Sequence, residues 1–258
     1  AIVFLHGVGV SGRMWADHMA NLSSYHCLAP DLPGSGRSRH RPWVSMAHTA
    51  AVVAQLIRTR VPAQRAHLVG LSLGGCVAHT LLRHHPELLH RVIIDGAGVL
   101  PLWSTPLANI GIAAVSPFLH TRPVVNGIAR AFGLGERDKE DLRAASTRAF
   151  RRALAQANNT RLTREEAGAP CPTLLVAGEK ELKVVRASNA ALAHLMPVAE
   201  ARYVPQRGHG WVGRAPDLHH RMVQAWITDS PLPPELEPET TPWPRARVSC
   251  LIGSAVAG

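Results

Sequence analysis

The sequence predicts an α/β fold, a mostly parallel sheet with helices on both faces. Three observations point to it. Short apolar runs that end in glycine-rich or polar turns alternate with stretches of helical apolar spacing, the pattern of repeated strand–helix units. The runs are short and apolar, as strands covered on both faces are. One long segment, residues 99–168, then breaks the alternation with helical patterns only.

In chain order, Ala1–Leu5 reads as a buried strand, followed by a glycine-rich loop and a helix near Arg13–Leu22. His26–Ala29 reads as a strand running into the turn "PDLPGSGRS" (30–38). "MAHTAAVVAQLIRTR" (46–60) has apolar residues at helical spacing. Ala66–Leu71 is a strand and Leu73–His84 a helix; Arg91–Asp95, Thr173–Ala177 and Ala201–Val204 are further strands. Ala187–Leu195 and Asp217–Ile227 carry helical patterns. Prolines at 101, 106, 117 and 123 punctuate the segment 99–168, which suits a helical cap over a pocket. From Asp229 onward six prolines and no amphipathic period read as a disordered tail. The expected organisation is a core of residues 1–98 and 169–228, a cap of 99–168 and a Pro-rich tail of 229–258.

Composition excludes several classes. The 258 residues, 46% hydrophobic, support one large core. No apolar run approaches the roughly 18 residues that a membrane helix needs, so no membrane insertion is expected. The net charge of +10 comes from arginines scattered among acids, without aromatic interleaving, so no nucleic-acid partner is expected. The densest basic stretch, residues 143–161, reads as one solvated helix face. Four dispersed cysteines (Cys27, Cys76, Cys171, Cys250) form neither a CxxC pair nor a metal pattern, which places the chain by default in a reducing cytoplasm without a metal or other cofactor.

The chemistry centres on Gly70-Leu71-Ser72-Leu73-Gly74-Gly75, a G-x-S-x-G between a strand and a helix. Such a turn exposes the serine above the carboxyl ends of the sheet, and the helix start offers unpaired N–H groups to an anion. The plain alternative for Ser72 is a helix N-cap. A serine nucleophile needs a base oriented by a carboxylate. Of fifteen histidines, His209 stands apart: in "VPQRGHGW" it follows a strand and sits between two glycines, whereas His84, His85, His219 and His220 read as residues of polar helix ends. The carboxylate is expected after an earlier strand, where "TLLVAGEKELKVV" supplies Glu179 and Glu181; Asp95 in "VIIDGAG" is a third possibility.

"HGVG" (6–9), "DLPGSGRS" (31–38), "GLSLGG" (70–75), "GEKE" (178–181) and "GHGW" (208–211), with the order serine, acid, histidine, resemble the α/β-hydrolase superfamily over residues 1–228. The resemblance implies an α/β-hydrolase fold with a helical cap and a triad of Ser72, His209 and an acid at Glu181, with Glu179 and Asp95 as alternatives. Members usually carry Asp at the position of Glu181. It also implies an oxyanion hole from the backbone N–H groups of Val8 and Leu73, and structural roles for His6 and Asp31. Family sheets normally begin with two strands before the one ending in "HG"; both are absent here, which makes the strand around Cys27 a sheet edge. A serine elbow implies acyl chemistry on an ester-like bond; the apolar cap stretch "GVLPLWSTPLANIGIAAVSPFL" (98–119) points to a small hydrophobic substrate, with Trp103 and Trp211 either lining the pocket or packing cap against core. C–C bond hydrolysis, perhydrolysis, acyl transfer to another acceptor and a non-catalytic binding role share the same residues.

Overall fold

A computed structural model describes residues 1–100 and 105–242. The core elements alternate from the start: β1 (Ile2–Leu5), α1 (Ala16–Asn21), β2 (Cys27–Leu28), α2 (Met46–Arg60), β3 (Ala66–Leu71), α3 (Leu73–His84) and β4 (Leu89–Asp95). Helices α4 (Thr105–Val115), α5 (Arg122–Phe132), α6 (Glu136–Ala144), α7 (Thr147–Asn158) and α8 (Arg164–Ala167) follow. The core resumes with β5 (Thr173–Gly178), α9 (Lys183–Leu195), β6 (Ala199–Val204), α10 (Trp211–Arg214) and α11 (Pro216–Ile227), and ends in β7 (Glu237–Pro238).

The strands form one sheet in the order β2-β1-β3-β4-β5-β6-β7, parallel except for the antiparallel β7. As expected for an α/β-hydrolase fold, the sheet is covered on both sides, and the residues along each strand divide between two cores. Val3 and Leu5 of β1 belong to the core that includes residues of α2, α3 and α9, whereas Ile2 and Phe4 pack with Trp15, Trp211 and residues of α11. The same period of two separates Leu68 from Val69 and Leu175 from Leu174, because successive strand side chains point to opposite faces. Among the described residues β2 pairs with β1 alone and is the edge that the sequence predicts.

Element bounds agree with the sequence reading at β3, α2 and α3. The fit is looser where a turn decides: the region 13–22 divides into a 3-10 turn, Gly12–Trp15, and α1. The basic stretch 143–161 is not one helix; the chain leaves helical geometry at Ala145, and Ser146 caps α7 by accepting from the Ala149 N–H. Between β4 and β5 the described residues are helices and connections without a strand.

The reading of 229–258 as a disordered tail is corrected for the part that is described. Residues 229–242 pack against the core: Leu236 is buried, Glu237 and Pro238 pair with Tyr203 and Arg202 of β6, and the buried carboxylate of Glu239 takes two hydrogen bonds from Arg186. The Arg186 guanidinium also lies 4.4 Å from the centre of the Tyr203 ring. Composition missed this because the prolines set the path of a strap that covers the β6 edge, one of the ways an open edge is protected.

Candidate active site

Ser72 sits between the last residue of β3 and the first of α3, with φ 55 and ψ −112. A non-glycine residue there is strained by about 1–3 kcal/mol and is held only by its surroundings. The surroundings are specific: the Ser72 N–H donates to the Asp95 carbonyl at 2.8 Å, and its own carbonyl accepts from Cys76 at 3.0 Å. The helix also comes so close to β1 that a side-chain carbon on Gly74 would lie 2.2 Å from the Leu5 carbonyl oxygen. Although Ser72 occupies the N-cap position of α3, its side chain makes no capping hydrogen bond. The N-cap alternative therefore does not account for the hydroxyl.

Glu181 follows β5 and His209 follows β6, both at the carboxyl end of the sheet. His209 Nδ1 lies 2.9 Å from Glu181 Oε2, whose side chain is 5% exposed. With Glu181 ionised, the neutral imidazole keeps its proton on Nδ1 and presents Nε2 as a base. Burial lowers the His209 pKa, but the hydrogen bond and charge of Glu181, with help from Asp95, outweigh it and leave it raised above 6.5. The imidazole rests on Gly96, where a side-chain carbon would come 2.9 Å from Cε1. Gly96 is next to Asp95, the residue that holds the Ser72 N–H, so serine and histidine flank the same strand end. Ser72 Oγ and His209 Nε2 are not hydrogen-bonded, and neither has a hydrogen-bond partner among the described residues. A catalytic hydrogen bond often forms only once substrate is bound.

The N–H groups of Val8 and Leu73 make no backbone hydrogen bond among the described residues. Leu73 is the first residue of α3, where the N–H has no partner within the helix. The Val8 loop is carried by His6, which is fully buried; its Nδ1–H donates to the Gly7 carbonyl and its Nε2 accepts from Leu32 N–H. Asp31 fixes the neighbouring turn by accepting from the N–H groups of Gly12 and Arg37. Both hold structure, as the sequence predicts.

The other carboxylates are engaged elsewhere. Glu179 accepts from the Gln206 N–H at 2.6 Å. Asp95 is 1% exposed and accepts from the Trp211 indole N–H at 3.0 Å, and burial pushes its pKa up to about 7. Trp211 is thus a core residue held by Asp95 and not a pocket residue; Trp103 lies outside the described residues. His219 is likewise not a residue of a polar helix end. It is fully buried, with Nδ1 2.7 Å from His18 Nε2 and Nε2 3.9 Å from Asp95 Oδ2. Burial lowers the pKa of both histidines, that of His18 to about 3. A histidine on the inner face of a helix cannot be told from a surface one by its polar neighbours, because burial depends on which face meets the sheet.

Cap residues reach this site that sequence reasoning did not single out. Phe132, at the end of α5, sets its ring edge-on to His209 with centres 5.1 Å apart. Its carbonyl lies where a side-chain carbon on Gly210 would come within 1.9 Å, which explains the small residue beside His209. Leu142 of α6 and Phe150 of α7 stand over Gly9, next to Val8. Asp141 fixes α6 to the core by accepting from Ser11 Oγ and from Arg13, the latter at 2.5 Å. The only prior signal was the apolar character of the cap.

No group of three or more His, Cys, Asp or Glu among the described residues could hold a metal ion. None of the helices among them is long and apolar enough to cross a membrane.

Residues 2–221 match the family model described as the alpha/beta hydrolase family. An AB hydrolase superfamily protein of Gibberella zeae is 26% identical over 247 residues, covering 92% of this chain and 83% of that protein. A pimeloyl-[acyl-carrier protein] methyl ester esterase of Aeromonas hydrophila is 39% identical over 93 residues, which span 36% of this chain and 35% of that one. Among solved structures, MGS-M2, an alpha/beta hydrolase enzyme from a Medee basin deep-sea metagenome library, superposes with a TM-score of 0.76 at 18% identity, covering 90% of each chain.

Proposed function

The chain belongs to the alpha/beta hydrolase family, and from that premise we propose that it is a serine hydrolase that cleaves an ester-like bond in a small hydrophobic acyl substrate. The observation that carries this reading is the pairing of His209 with Glu181 at the strand end that also holds Ser72 in a strained turn. In the proposed mechanism Ser72 Oγ attacks the acyl carbonyl while His209 Nε2 takes its proton. The N–H groups of Leu73 and Val8 stabilise the oxyanion, each contributing about 3 kcal/mol. His209 then returns the proton to the leaving alkoxide, and water activated by the same imidazole releases the acid. Glu181 keeps the proton on Nδ1 throughout and stabilises the imidazolium.

Phe132, Leu142 and Phe150 support an apolar acyl group, since they border His209 and the Val8 loop. The Aeromonas hydrophila relative, named as a methyl ester esterase, supports ester chemistry. The test is labelling with a serine-reactive fluorophosphonate, beside Ser72→Ala, followed by a panel of p-nitrophenyl esters of graded acyl length. Labelling lost in Ser72→Ala and turnover of the esters are expected. A folded parent that takes no label would overturn the reading in favour of a binding role, and labelling without ester turnover would favour C–C hydrolysis or acyl transfer.

A further inference from the structure

A second cleft lies where α7 meets the loop after β2. Its volume is about 280 Å³, and Arg39, His40 and Arg41 line one side while Arg148 and Arg152 line the other. All five side chains are exposed, and the floor between them is the buried pair Trp43 and Ala149. None of these four arginines has an ion pair or a side-chain hydrogen bond with another described residue. This sets them apart from Arg13, Arg37, Arg58, Arg91, Arg186, Arg202 and Arg221, each of which faces a carboxylate.

The walls of the cleft are rigid where they join. The Ser146 N–H donates to the Gly34 carbonyl at 3.0 Å, and a side-chain carbon on Gly34 would meet Ala149 Cβ at 2.1 Å. Gln156 Oε1 accepts from both the Trp43 indole and the Met46 N–H, tying α7 to the segment before α2. Arg148 and Arg152 are four residues apart and share a helix face, whereas Phe150 between them turns toward Gly9. The cleft is therefore on the opposite face of the helix that borders the candidate active site.

We infer that this cleft binds a phosphate-type dianion, a phosphate monoester or a pyrophosphate group. Guanidinium forks match phosphate oxygens in pairs, and planar donors on two facing walls suit one multiply charged group better than a single carboxylate. Four like charges around one cavity repel one another, and a dianion between them relieves that repulsion while linking the cap helix to the core loop. The site stands apart from the hydrolase reading, because an equilibrium titration reports it whether or not the protein turns over an ester.

The experiment is calorimetric titration of the full chain with inorganic pyrophosphate, at low and at physiological ionic strength. Two double variants are compared, each losing two arginines: Arg148→Ala with Arg152→Ala in the cleft, and Arg60→Ala with Arg151→Ala, exposed residues that do not line it. Binding with one-to-one stoichiometry that weakens about tenfold or more in the cleft variant and hardly changes in the other is expected. Equal weakening in both variants would reduce the effect to net charge and overturn the inference, as would no binding by the parent at physiological salt. A kinetic arm separates the sources of the anion. If pyrophosphate raises the KM of a phosphate-bearing ester and leaves a neutral one unchanged, the phosphate belongs to the substrate; if it changes the rate on the neutral ester, the bound anion is free.

Discussion

His209 Nδ1 and Glu181 Oε2 lie 2.9 Å apart although 28 residues separate them, while Asp95, the last residue of β4, bonds instead to Trp211. The loops after β5 and β6 thus decide which carboxylate orients the imidazole.

Replacing the hydroxyl tests the nucleophile. Ser72→Ala is expected to lower kcat by about 10⁴-fold or more with little change in KM, as removal of a triad nucleophile does. Steady-state kinetics on a p-nitrophenyl ester reads this. Residual activity near that of the parent would remove Ser72 from the chemistry.

The two acids should separate. Glu181→Gln is expected to cut kcat by about 10²-fold or more, because the imidazole loses the charge that holds its tautomer. Asp95→Asn keeps an acceptor for Trp211 and should stay within about threefold of the parent. The reverse ranking would transfer the acid role to Asp95.

The pH profile follows from the raised His209 pKa. The base acts when neutral, so kcat/KM should rise with pH through an inflexion above 6.5 in the parent. Glu181→Gln removes the charge that raises it, so the inflexion should move to lower pH. An inflexion that does not move would show that the titration belongs to another group.

Asp95 also predicts a pH-dependent stability. Its folded pKa of about 7 exceeds the ordinary 3.8, so its contribution is fully present below 3.8 and is lost as pH rises to about 7. Asparagine carries no such penalty. The urea midpoint of Asp95→Asn relative to the parent should therefore increase between about pH 4 and pH 8. A constant difference would mean that Asp95 titrates normally.

The closing strap is testable at Glu239. Glu239→Ala leaves the Arg186 guanidinium without its carboxylate and should cost about 2 kcal/mol, read by urea unfolding, with ester hydrolysis intact. Stability equal to that of the parent would show that the Arg186–Glu239 pair does not hold residues 229–242 to the core.

Much of this protein is determined by local pattern. The elbow at Ser72 is legible because steric crowding between a strand, a turn and a helix demands glycine at fixed offsets. The strands are legible because apolar runs cannot stay in water, and the order serine, acid, histidine follows from their succession. Tertiary structure alone decided that Glu181 and not Asp95 meets His209, that His219 and Trp211 are buried, that Phe132 covers the imidazole, and that residues 229–242 form a strap. Each of these depends on which faces of distant elements come together. Burial, charge pairing and ring contact are properties of that meeting, and no window of neighbouring residues contains them.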